Sequence, residues 1–408
     1  MPVKDRRLKQ RYRQLVKEHA HAARRLAAGL SALPRAGNAL SGVQAAWRFL
    51  QNQAVSLATL VEPLREVGRR GAAASASDYV LLVHDWSKLD YDHASKKDLV
   101  ELPGHENWGY DLSVALLVDA ADGVPLAPMD LELHCAPGVC STRCEQPRAP
   151  AAHIDQVLET MQAARSWQLP RHVVHIVDRE ADGLAQYREW SQAGHWFLIR
   201  SDPNRCVRWE GERISLDEIS RRLWRNKAFV EAREVSYHGR QARQFVACAE
   251  VVLDGPGRKR TPQGRRLIPG PPLTVRLVIS QVRDEQGRLL AAWCLLTNLL
   301  AEVSAATVAL WYYWRWRIES FFKLLKSHGQ EVEAWLQHDG LRIAKRLLVA
   351  AMACTAVWQL QHDPSPSARE MEQVLVKISG RQMKRKRPVT TPALLSGLQS
   401  LLSVLLVL

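Results

Sequence analysis

LWYYWRWRIESFFKLLKSHGQEV, residues 310–332, is the stretch that decides the reading of this chain. It lacks proline, and its Leu, Phe and Trp residues recur at helical spacing as far as Gly329, which predicts one helix. Within it Tyr312, Arg315, Glu319 and Lys326 stand at offsets 0, 3, 7 and 14. At roughly 100° per residue these four project within about 60° of one another, and Lys323 shares their stripe. One reading is a solvated helix face with Arg315 and Glu319 as an ordinary i,i+4 pair. The other starts from the chemistry: one carboxylate among cations suits a group that holds a metal ion while its neighbours hold phosphates.

Working upstream, two apolar runs end in aspartates. YVLLVHD (79–85) reads as a buried strand ending at Asp85, with Asp90 and Asp92 in a loop-like stretch beyond it. HVVHIVDREADG (172–183) reads as a second buried strand running into Asp178, with Asp182 at the start of the next helix. Asp178 also has the position of a helix N-cap. Further strands are expected at 112–119, around 126–133 and at HWFLIRS (195–201), where Arg200 suits either a phosphate contact or a structural salt bridge. Residues 153–167 read as a helix.

Between 201 and 290 short β-branched runs alternate with Gly/Pro/Arg loops, notably GPGRKRTPQGRRLIPGPP (255–272), which predicts a strand-rich insertion. Its Arg258–Arg260 and Arg265–Arg266 clusters suit nucleic-acid backbone contacts or a hairpin tip. Trp293 opens the last strand before the 310–332 helix. Toward the N-terminus, residues 4–32, 41–52 and 56–67 read as helices with a basic exterior, and GAAASAS (71–77) reads as a linker. After Gly340 a helix apolar on most faces should pack as core. The Lys384–Arg387 run reads as a phosphate contact or a solvated loop.

The chain of 408 residues is long enough for two or three domains, and it carries a formal charge of +14 with a pI of about 9.7. That charge is uneven. Residues 1–70 hold 14 Lys and Arg against 4 Asp and Glu, and residues 362–408 hold 7 against 3, so the middle is about neutral. Two basic ends predict a polyanionic partner, nucleic acid first among them. The seven cysteines include a cluster, Cys135, Cys140 and Cys144 beside His134, whose gaps differ from usual zinc spacings. Buried or loop thiols are expected there. The start has no apolar leader-like run, and the apolar tail 393–408 is short for a membrane span of about 20 residues, so a cytoplasmic protein is expected.

Tyr312-x2-Arg315-x3-Glu319-x6-Lys326 resembles the Y-R-E-K signature of bacterial cut-and-paste DDE transposases of the insertion-sequence family 4 type. DREAD, beginning at Asp178, resembles that family's second-aspartate motif. His84 and Trp86 flank the first aspartate in a way the resemblance does not anticipate. The resemblance covers about 330 residues in pieces, from AAWRFLQN to SGRQMKRKRP. It implies an α/β fold: an RNase H-like catalytic core interrupted by a β-rich insertion, with a helical N-terminal DNA-binding domain and a helical C-terminal tail. The corresponding boundaries are 1–75, 76–200, 201–290, 291–361 and 362–408.

It further implies that Asp85, Asp178 and Glu319 are the catalytic, metal-binding triad for two Mg²⁺ ions, with Mn²⁺ able to substitute. Tyr312, Arg315, Lys323, Lys326, Trp293 and Arg200 become DNA-binding residues, Trp293 by stacking on a base flipped out near the transposon end. The implied partners are double-stranded DNA, as terminal inverted repeats and as target, and a second copy of the chain in the DNA complex, with no membrane. The implied activity is endonucleolytic cleavage and strand transfer. A catalytically inactive regulator that only occupies transposon ends, and an RNase H-like nuclease without end specificity, are the competing readings.

Overall fold

The computed structural model describes residues 5–21, 39–91, 96–102, 107–261, 264–326, 329–380 and 389–405. Its first helices are α1 (Arg6–His21), α2 (Ala39–Gln51) and α3 (Leu57–Ala74), the last capped by the Ser56 hydroxyl. Tyr12, Leu15, Phe49, Leu60 and Leu64 from these helices bury into the same core as the sheet that follows. The stretch read as a linker is the end of α3: Ala72 and Ser75 are buried. A Cβ on Gly71 would come within 2.8 Å of Leu126, so small residues here serve close helix–sheet approach and not flexibility.

The β-branched, apolar runs that follow form β1 (Tyr79–Asp90), β2 (Val100–Glu101), β3 (Trp108–Asp119), β4 (Pro125–Cys135) and β5 (Gly138–Ser141). After α4 (His153–Ala164) come β6 (His172–Val177), α5 (Leu184–Gln192) and β7 (Trp196–Ser201). In 201–290 lie β8 (Cys206–Trp209), β9 (Glu212–Ser215), α6 (Leu216–Arg225), β10 (Val230–Tyr237), β11 (Arg240–Leu253), β12 (Gly257–Thr261), β13 (Gly264–Ile268), β14 (Leu273–Arg283) and the start of β15 (Leu289–Thr297). The helical end comprises α7 (Ala305–Trp314), α8 (Trp316–Leu325), α9 (Gly340–His362), α10 (Pro366–Ile378) and α11 (Thr391–Leu405). The Lys384–Arg387 run and Asp92 lie outside the described residues.

The result is a mixed α/β protein around one large mixed sheet, ordered β5-β4-β3-β1-β6-β7-β15-β14-β11-β8-β9, with β12–β13 as a separate hairpin. The strand-rich stretch is therefore not a separate sheet. β15 pairs antiparallel with β7, and β14 and β11 continue outward from it. Sequence reading missed the short β5 and the amphipathic α6, whose Ser215 hydroxyl caps it.

Two departures shape the site. β1 does not stop at Asp85 but pairs with β3 through Asp90↔Gly109, whereas its parallel pairing with β6 ends at Val83↔Ile176. Beyond that point β1 has a neighbour on one side only, and Asp85 sits at the fork. The predicted single helix is two: Arg315, itself helical at φ −50°, ψ −34°, joins α7 to α8. The bonds from Arg315 N–H to the Tyr312 carbonyl and from Ile318 N–H to the Arg315 carbonyl span three residues, tightening the helix at this point.

Strand alternation sorts the two faces. Leu81, Val83, Val174, Ile176, Leu198 and Leu295 bury on the face covered by α7–α9, while Val177, Phe197 and Ile199 bury against α4–α6. The same period of two places Asp85, Asp178, Arg200 and Trp293 on the α7–α9 face. α9 is long and apolar enough by composition to cross a membrane, yet 78% of its most apolar window is buried inside the protein, as expected of a core helix.

Candidate active site

Asp85 reaches the site from the fork in β1, and Asp178 from the first residue beyond β6. Asp178 has extended backbone (φ −77°, ψ 179°) and is the N-cap of a short 3₁₀ turn, Arg179–Ala181. It thus follows a strand directly and caps a turn, not the next helix. Its Oδ1 accepts from Arg179 N–H at 2.7 Å and from the Tyr312 hydroxyl at 2.9 Å.

At the centre lies Arg315, only 5% exposed. One amino group donates to Asp85 Oδ2 at 2.8 Å; the other donates to Glu319 Oε1 at 2.9 Å and lies 3.5 Å from Asp178 Oδ2. A single buried guanidinium thus gathers all three acids, whose side chains stay 20%, 34% and 29% exposed for Asp85, Asp178 and Glu319. The acids lean on their own backbone as well, since Asp85 Oδ1 accepts from Trp86 N–H at 2.9 Å.

The two aspartates differ electrostatically. Burial pushes Asp85 up to about 6 against the pull of Arg315 and the Trp86 N–H, with the charges of Asp178 and Glu319 adding to the rise. Burial acts on Asp178 too, but Arg315, the Arg179 N–H, the Tyr312 hydroxyl and the charge of Arg200 together hold it below the usual carboxylate range. Burial raises the Tyr312 phenol, so it is a neutral donor. Desolvation opposes the charge on Arg315, yet Asp178, Tyr312, Asp85 and Glu319 outweigh it and keep the guanidinium charged.

The remaining predicted residues spread around this centre. Lys326, at the end of α8, donates to the Lys88 carbonyl at 2.6 Å and pairs with Glu333 at 2.8 Å. Lys323 is exposed one turn earlier. Arg200 is half-buried and forms no hydrogen bond or ion pair among the described residues, although its charge acts on Asp178. Trp293 is half-buried against the main core, opposite Ser280 in the β14–β15 ladder. Asp182, by contrast, is a structural hub: it accepts from Ser201, Asp202 N–H and Tyr187, and pairs with Arg205 at 2.7 Å. Asp90 is exposed at the end of β1.

Sequence reading missed the layer behind the aspartates. His153 stacks on Trp86, with ring centroids 4.5 Å apart and planes 9° from parallel. Its two nitrogens meet Asp111 at 2.6 Å and Glu180 at 2.7 Å. Only Trp86, a departure beside the first aspartate, signalled it in the sequence. His84 shares the face of Trp86, opposite Asp85; it is bonded to His175 at 3.0 Å, and burial holds it neutral with a pKa near 3.

Three carboxylates around one cation are hard oxygen donors of the type that holds Mg²⁺. As they stand, no three His, Cys, Asp or Glu side chains among the described residues are grouped to hold a metal ion. The donor set fits a divalent cation in kind, and the spacing is that of a guanidinium complex. Cys135 and Cys140 lie buried with sulfurs 3.7 Å apart, and all seven cysteines are free thiols.

No protein-family model matches the chain, and no curated protein does. Among solved structures it is similar to the piggyBac transposase synaptic complex with hairpin DNA, at 9% identity and a TM-score of 0.36, over 98% of this chain and 70% of that one. A likeness of that degree decides neither fold nor activity.

Proposed function

We propose that the chain is a DNA transposase of the insertion-sequence family 4 type, an Mg²⁺-dependent nuclease and strand transferase. The observation that carries the reading is the convergence of Asp85 at the fork in β1, Asp178 just beyond β6 and Glu319 on a helix over 230 residues from Asp85, on Arg315. The strand order β3-β1-β6-β7, with antiparallel pairing on one side of β1 and parallel on the other, supports an RNase H-like core beneath it.

In this reading Asp85, Asp178 and Glu319 would hold Mg²⁺, with Mn²⁺ able to substitute, once Arg315 had exchanged their carboxylates for the oxygens of a scissile phosphate. Bound divalent ions supply Lewis-acid stabilisation of the phosphorane charge and an ionised water. The protein's own residues do the rest. Arg315 carries a permanent charge onto phosphate oxygens, where it is worth more than in water because the site is partly desolvated. Tyr312 keeps Asp178 oriented through its hydroxyl. Lys323, Lys326 and Arg200 add backbone contacts, and Trp293 takes a flipped base. Attack of water on phosphorus breaks the P–O3′ bond and leaves a 3′-hydroxyl at the transposon end. That hydroxyl attacks the opposite strand to give a hairpin, and after reopening it attacks target DNA. A homodimer on paired ends and a cytoplasmic site of action complete the proposal.

The test is cleavage of a labelled duplex carrying the element's own end, with wild type beside Glu319→Gln. Mg²⁺-dependent nicking at the end by wild type, reduced at least about 10³-fold in the variant, is expected; this corresponds to about 4 kcal/mol of transition-state stabilisation. End binding without cleavage by either protein would replace the enzyme with a DNA-occupying regulator.

A further inference from the structure

The cluster behind the aspartates has a geometry that the proposed chemistry does not use directly. Asp111 lies on β3, Glu180 in the turn that Asp178 caps, and Trp86 on β1 one residue beyond Asp85. His153, the first residue of α4, touches all three. Its ring therefore spans from the residue whose N–H holds Asp85 to the turn whose first side chain is Asp178. We infer that His153 is a positioning residue that fixes the separation of Asp85 and Asp178 from behind. The inference rests on those aspartates carrying the chemistry.

Both ring nitrogens donate in the imidazolium, so each carboxylate receives a charge-assisted bond and the indole face receives a cation. Trp86 is itself held to the same helix, its indole N–H donating to Gln156, one turn beyond His153, at 3.2 Å. Burial opposes the charge on His153, and the bonds it donates to Asp111 and Glu180 overcome it, lifting the group to about 9. His134 on β4 also faces the cluster, and its burial keeps it on the neutral side. The stack, the two ion pairs and the indole bond form one continuous connection between β1, β3, α4 and the Asp178 turn.

The experiment follows cleavage of the end duplex in Mg²⁺ by wild type, His153→Ala, His153→Arg and Asp85→Asn. Misplacing a reacting group by about 1 Å costs on the order of 10²-fold, so His153→Ala should lose cleavage kcat to roughly that extent while end affinity is unchanged. A planar guanidinium can stack on Trp86 and donate to both carboxylates, so His153→Arg should restore the rate to within a few-fold. The wild-type rate should also fall as pH rises through about 9 relative to His153→Arg, which stays charged. Wild-type kcat in His153→Ala, or equal loss in His153→Arg, overturns the inference. If His153→Ala does not fold, Glu180→Gln, at an exposed carboxylate, is the substitute, and a wild-type rate there overturns it. Asp85→Asn separates the two levels: if it cleaves normally the aspartate reading falls, whereas a dead Asp85→Asn beside a fully active His153→Ala removes the brace alone.

Discussion

Two clusters of three carboxylates stand on the same sheet, and they are built oppositely. Around Arg315 one guanidinium faces three acids that are 20–34% exposed. Some distance along β4, Asp130 and Glu132 are each 3% exposed and, with Glu159, face two guanidiniums, Arg143 and Arg148. Arg143 also bonds Thr160, and Thr142 bonds Asp130, so the lone pairs there are spoken for. Glu159 is 40% exposed, but the two strand carboxylates are buried and fully paired, as suits a cluster that holds structure. The Arg315 cluster is under-compensated and open to solvent, a poor way to stabilise a fold and a good way to receive a cation and a phosphate. The number of acids does not mark a site; their balance of charge and exposure does.

The largest effects should separate the clusters cleanly. Arg143→Met leaves the buried Asp130 without its cation and Glu132 with Arg148 alone, and breaking such a pair costs about 3–5 kcal/mol, visible as a lowered urea midpoint. Asp85→Asn should abolish cleavage while changing unfolding free energy by less than about 1 kcal/mol, since the charged form of Asp85 is already disfavoured by burial. If Asp85→Asn unfolds the protein and Arg143→Met abolishes cleavage without destabilising it, the contrast is reversed and the site is misassigned.

A smaller effect tests three buried imidazoles elsewhere in the fold. His84 and His195 are held down by burial, to about 3 and about 4, and burial also lowers His19, to about 3. The unfolded chain binds these protons near pH 6.5, so stability is full above that pH and is lost as pH falls toward the folded values. Each fully buried histidine should cost about 2 kcal/mol between pH 6.5 and 5. A melting temperature that stays level over this range would show that these rings are accessible. Smallest of all, Tyr312→Phe removes one bond to a partly exposed carboxylate and should shift Asp178 upward while costing about 1 kcal/mol or less. Titration of a ¹³C-labelled carboxylate would read it; an unmoved Asp178 would deny Tyr312 its orienting part.

Much of this was legible in the chain. The stripe Tyr312–Arg315–Glu319 follows from period and polarity, whereas Asp85 and Asp178 are singled out by the apolar runs leading into them together with the resemblance. All of them meet, although Asp85 lies within β1 and not at its end. What Arg315 does there was not legible, because a cation at helical spacing cannot say whether it faces phosphate or acid; only the fork in β1 decides that. The continuation of β1 past Asp85 was hidden because WSKLD alternates weakly and pairs on one side. The end of α3 was hidden because Gly and Ala in close packing have the composition of a linker. His153 was invisible for a different reason: its partners come from three separate segments, so no local window contains the pattern.

The fork in β1 also sets how tolerant the chain is of changes in length. Asp85 is opposite Val114 on β3 and two residues past the last rung to β6. Losing one residue between 79 and 84 while the β3 register is kept would turn Asp85 to the α4 face and bring a neighbour such as Trp86 to the cation. A loop on this molecule can grow or shrink and leave the chemistry in place. In these six positions there is no such freedom: an in-frame loss of one codon would take Asp85 away from Arg315, in a chain that still builds most of its sheet.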